Sequence, residues 1–146
     1  MEAAHDLATA IEAALPEWVE RCVHERYRDA VGVPPGDVRE AARTAGLAAR
    51  ADVAPRLEAL LEADIDAQWT TPLALVRSAV RFPTGVLREA AVPPVPRDSF
   101  EEERFPDDIY RLTPASFSDI GPGVAEVAIT WGAAKAWAHR RRHAGP

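Results

Sequence analysis

The sequence predicts an all-α protein. The expected form is a compact bundle of about six to seven helices, with a proline-rich connector and a wrapped C-terminal segment ending in a long helix. Three observations lead there. Alanine occurs 29 times and, with leucine, is among the strongest helix formers. Val, Ile and Thr do not cluster in period-2 runs, and a chain without asparagine offers no Asn-Gly hairpin. Most of the 13 prolines fall where a helical pattern starts or stops. At 146 residues the chain has the length of one ordinary domain, and residues 1–146 read as a single helical domain without internal repeats.

The elements follow in order. Leu7, Ile11, Ala14 and Leu15 recur at helical spacing. Pro16 suits the first turn of a second helix, where its missing N–H is not needed. Trp18, Val19, Cys22, Val23 and Tyr27 form the apolar stripe of that helix, which closes at Gly32–Gly36. Asp37 caps a third helix with a narrow face of small residues, Val38, Ala41, Ala42 and Ala45. Pro55 restarts the pattern, and Val53, Leu57, Leu60, Leu61 and Ile65 make a fourth amphipathic stripe. A fifth helix starts at Pro72. Pro83 breaks or kinks it, and Val86, Leu87 and Ala90 continue a short sixth.

Val92–Pro96 holds three prolines and reads as an extended connector. Short turns follow: Ser99 capping Phe100–Glu103, one turn at Pro106–Tyr110, and one at Thr113–Phe117. The last helix runs from about Val124 to Arg142, with Val124, Val127, Trp131, Ala134 and Ala138 on one face.

Composition excludes several classes. One cysteine, Cys22, allows neither an intrachain disulfide nor a multi-cysteine zinc site. No apolar run reaches the length of a membrane span, and the N-terminus shows no secretory pattern. The expectation is a cytoplasmic protein with no membrane contact. A formal charge of −6 disfavours a general nucleic-acid binder.

Several constellations are candidates for function. Arg77, Arg81 and Arg88 fall at i, i+4 and i+11 and share a face if Pro83 turns the chain little. Their guanidiniums suit a phosphate or carboxylate, or else intramolecular ion pairs. Asp64 sits close to the fourth apolar stripe, where a carboxylate needs a partner or a role as base. The stretch 98–108 holds six acids without a cation-loop or Glu-x-x-His pattern, so no metal and no cofactor is expected. Asp37–Leu60 partly matches a helix-turn-helix. Val38-Arg39-Glu40-Ala41-Ala42-Arg43-Thr44-Ala45-Gly46-Leu47 supplies the first helix and turn, but Asp52 and Pro55 stand where the recognition helix needs an anchor and an unbroken interior. His139–His143 is the basic end of the last helix and suits its dipole.

Leu61-Glu62-Ala63-Asp64, Thr71-Pro72-Leu73-Ala74-Leu75 and Arg81-Phe82-Pro83-Thr84 resemble segments of small proteins of high-GC actinobacteria. So do Arg104-Phe105-Pro106-Asp107-Asp108-Ile109-Tyr110, Leu112-Thr113-Pro114-Ala115-Ser116-Phe117 and Trp131-Gly132-Ala133-Ala134-Lys135-Ala136. The resemblance spans roughly residues 55–140 and implies no activity, cofactor or catalytic residue.

Two functions are therefore expected first. One is a protein-interaction or regulatory module, binding a protein partner or a second copy through an aromatic-rich C-terminal half that includes Trp69, Tyr110 and Trp131. The other is a small-molecule or anion site, possible for an enzyme, between the Arg77/Arg81 face and the acidic 98–108 segment. It requires a concave pocket with an aromatic wall. A degenerate helix-turn-helix DNA binder ranks third.

Overall fold

The computed structural model describes residues 2–62 and 72–143, and among them helix is the only regular structure. Helix α1 spans Glu2–Ala30 and α2 spans Gly36–Glu62. A third stretch joins α3 (Pro72–Arg77), a 3-10 turn (Ser78–Val80) and α4 (Arg81–Glu89) without interruption. Helix α5 covers Ser99–Arg104, a second 3-10 turn Phe117–Asp119, and α6 Val124–His143.

The described residues thus form five helical stretches where six or seven were expected. The longest are α1 and α2, at 29 and 27 residues, against 20 in α6. The differences lie at prolines. An interior proline loses one hydrogen bond and crowds the carbonyl four residues back. Yet the apolar stripe keeps its phase across Pro16: Leu7, Ile11 and Leu15 run on into Trp18, Val19 and Val23, all buried. Ala49, Val53, Leu57 and Leu61 do the same across Pro55. Burying a Leu or Ile side chain contributes about 1.5–3 kcal/mol, so several on each side offset one broken turn. At Pro83 the chain tightens instead of stopping. The 3-10 turn Ser78–Val80 contains Ala79, the residue whose carbonyl the Pro83 ring would crowd.

The α1–α2 hairpin is the centre of the core. The two helices pass tightly at Pro16 and Gly46, where a Cβ on Gly46 would lie 2.8 Å from the Pro16 carbonyl oxygen and 2.9 Å from its Cα. Large α1 side chains (Leu7, Ile11, Leu15, Trp18) share the core with a column on α2 that is small near the crossing, Ala42, Gly46 and Ala49. Gly46 therefore sits inside a continuous helix. The tight turn of a helix-turn-helix is not made there.

Beyond α4 the chain is tied down by individual bonds. Val92 N–H donates to Leu87 O and Ala91 N–H to Arg88 O, both at 3.0 Å, with Ala91 at φ 60°. This is a Schellman end with alanine in the left-handed position that glycine prefers. The connector then pairs through Val95 N–H to Ile109 O. Asp98, not Ser99, caps α5, accepting from Glu101 N–H at 2.8 Å. Pro106–Tyr110 forms non-helical turns where one helical turn was expected. Thr113–Ser116 is irregular and bent, the only helical geometry of that stretch being the 3-10 turn that begins at Phe117.

Three substitutions test this packing by urea unfolding. Gly46→Ala destabilises by up to about 2 kcal/mol, because a clash with the Pro16 backbone of about 1–3 kcal/mol outweighs the ~1 kcal/mol that alanine gains in a helix. Gly85→Ala, whose Cβ would meet nothing within 4 Å, stabilises by about 0.5–1 kcal/mol. Ala91→Gly stabilises by relieving a left-handed alanine, about 1 kcal/mol.

Candidate functional site

The turn at Asp108–Thr113 is the framework of the site. Asp108 is buried, and its carboxylate accepts from Leu112 N–H (2.7 Å), Thr113 N–H (2.8 Å) and the Thr113 hydroxyl. Holding two successive amides on one side chain bends the chain sharply, and Arg111 takes φ 55° within that bend. Its guanidinium reaches Glu101 on α5 at 2.7 Å. Tyr110, completely enclosed, donates from its hydroxyl to Val92 O at 2.7 Å. Burial pushes the Tyr110 phenol above its ordinary range. Arg97 secures the start of the same loop by donating to Phe105 O at 2.7 Å.

Two adjoining clefts open between this loop, α5 and the α3–α4 stretch. One, of about 440 Å3, runs past Arg77, Phe100, Arg104, Phe105, Arg111 and Thr113. The other, of about 380 Å3, is lined by Arg77, Ser78, Arg81, Arg104, Phe105 and Asp107, among others. Arg77, Arg104, Phe105, Asp108 and Thr113 belong to both.

The arginines differ in what already holds them. Arg77 donates through Nε to Pro114 O at 3.1 Å, which joins α3 to the loop and leaves its terminal nitrogens without a described partner. Arg81 pairs with Asp52 of α2 at 2.9 Å and lies 4.9 Å over the Phe82 ring. Asp52 also holds Arg56 at 2.7 Å. Arg104 stands over the rings of Phe100 and Phe105, at 5.8 and 5.5 Å, and has no carboxylate or hydrogen-bond partner among the described residues. Asp108 already accepts from three donors, and Asp107 is the one aspartate of the second cleft without a described partner.

The sequence-derived candidates separate accordingly. Arg77 and Arg81 line one cleft, although their existing bonds point to different neighbours. Arg88 is exposed and lines neither cleft. Tyr110 is a buried strut. Trp131 packs against the core with its indole N–H unpartnered and Lys135 5.2 Å over its ring. Asp64 and Trp69 lie outside the described residues, as do the side chains of His139 and His143. Of the described C-terminal aromatics, only Phe100 and Trp137 are exposed. Arg104 was not singled out in the sequence, and Phe105 only as one of the C-terminal aromatics. Their signal was present as Phe100 and Phe105 flanking a lone arginine after three glutamates.

Among the described residues no cluster of three His, Cys, Asp or Glu side chains could hold a metal, and no helix is long and apolar enough to cross a membrane. No family model matches the chain, and no curated protein or solved structure is significantly similar to it.

Cys22, half-buried on α1, has its thiol pushed up to about 12, first by burial, with nearby Asp108 also raising it. Below pH 9 the thiol stays protonated whether the chain is folded or not. Above it, the unfolded chain releases the proton first, so folding stability falls between about pH 9 and 12. Cys22→Ala removes this contribution to the alkaline slope in urea melts. Iodoacetamide labelling of the native protein at pH 8 should be at least about a hundredfold slower than that of the unfolded chain.

Proposed function

We propose that the protein is a small binding module whose ligand is an organic anion carrying a planar ring, seated where the two clefts meet. The observation that carries this reading is Arg104. A guanidinium held over two aromatic rings, with no carboxylate to neutralise it, is an anion receptor with its apolar walls in place. Arg77 lines both clefts with it, its terminal nitrogens free of described partners. Asp107 lines only the second cleft, whereas Arg77, Arg104 and Phe105 line both, so ligand charge is drawn toward the two arginines and the ring toward Phe105. Arg81 and Arg111 act as struts, because Asp52 and Glu101 already occupy them.

A second reading, a module that docks another protein, is supported by Ile129 and Trp137 on α6, which are 73% and 57% exposed. Both readings fit a regulatory protein of the cytoplasm. We further propose kinship with the small actinobacterial proteins that the sequence resembles.

Phenyl phosphate is a suitable probe by isothermal titration, because it joins a ring to a dianion. It should bind the native chain more tightly than inorganic phosphate. Arg104→Ala should weaken it about tenfold or more, while Arg50→Ala, on the exposed side of α2, should leave it unchanged. Equal binding by native and Arg104→Ala protein would remove the cleft as the site.

A further inference from the structure

Helix α6 has two unlike faces. Val124 is buried, and Val127, Ala128 and Trp131 pack against the core that α1 helps to form. On the opposite side Glu126, Ile129, Ala133, Ala136, Trp137 and Arg140 are all exposed. At about 100° per residue, Glu126, Ile129, Trp137 and Arg140 fall within about 40° of Ala133. They form one straight seam about 21 Å long at 1.5 Å per residue. Its apolar positions Ile129, Ala133 and Trp137 recur every four residues, with one charged residue three positions beyond each end.

The seam is symmetric in size and antisymmetric in charge about Ala133. Ile129 and Trp137 lie equally far on either side of it. Glu126 and Arg140 lie equally far beyond them, one acidic and one basic, and neither has an ion-pair partner among the described residues. We propose that this seam binds a second copy of the chain, with the two α6 helices antiparallel about a two-fold axis through Ala133. Ile129 then meets the partner's Trp137, and Glu126 meets the partner's Arg140. The same two pairs recur across the axis, as an isologous contact requires. Ala133 at the axis lets the helices approach closely. Trp137 is the anchor, stiffened by the Arg141 guanidinium 5.3 Å over its ring. A parallel pairing would set Glu126 against the partner's Glu126 and Arg140 against the partner's Arg140, so the charges select the antiparallel register.

A four-turn seam is small by the standards of stable interfaces, so exchange between monomer and dimer is expected over roughly 10 µM to 1 mM. Sedimentation equilibrium on the full chain reads it directly. The native protein should dimerise in that range, and Trp137→Asp should remain monomeric with its helical circular dichroism retained. Glu126→Arg and Arg140→Glu should each weaken the dimer about tenfold, and the double variant E126R/R140E should recover native affinity. A native chain that stays monomeric to about 1 mM would overturn the proposal. So would a dimer indifferent to Trp137→Asp, or single charge reversals that the double variant does not rescue.

Discussion

The backbone of α2 passes Pro16 of α1 with no room for a side chain at Gly46, and that close approach positions the rest of the molecule. Two long helices at such a distance bury their facing residues almost completely. They leave a surface on which the α3–α4 stretch and α6 settle. Helix α4 contacts both α1 and α2, while α6 packs on α1. Asp52, on α2, then reaches Arg81 on α4 and fixes that stretch against the hairpin. The proline that would ordinarily end a helix is tolerated because core packing continues through it, and the glycine that would ordinarily weaken one is needed for the crossing.

The clefts follow from this frame at second hand. No regular helix crosses between α5 and α6 to fill the space beside α3. Instead a loop is bent by Asp108, bolted by Tyr110 to the connector and by Pro114 to Arg77. Backbone held by side-chain hydrogen bonds cannot pack as flush as helix on helix, and concave space remains. The arginines that line it include two already used as struts and two that keep donors available. This division, more than the number of arginines, gives the site its chemistry.

Much of the helical content was legible in the sequence, because the apolar stripes of α1, α2 and α6 follow helical spacing. The helix count was not. A proline at a stripe's midpoint looks like a boundary when read locally, and only the unbroken phase from Leu15 to Val19, or from Val53 to Leu57, shows otherwise. Gly46 likewise fitted a turn until its neighbour across the crossing was known, and that neighbour lies 30 residues earlier. Arg77 and Arg81 were recognisable as a pair. Arg104 was not, because its lack of an ion pair, with Asp107 and Asp108 lining the same cleft and Glu101 paired to Arg111, is set by how the loop folds.

The proposed anion seat lies between Arg77 and Arg104. Titrating the isotopically labelled protein with phenyl phosphate, while following backbone amide and arginine Nε–H signals by nuclear magnetic resonance, tests it most directly. Binding there should give saturable shifts concentrated at Arg77, Arg104, Phe105 and Thr113, with little change at the exposed Arg88 or along α6. Shifts spread evenly over the surface arginines, or centred away from the clefts, would contradict it.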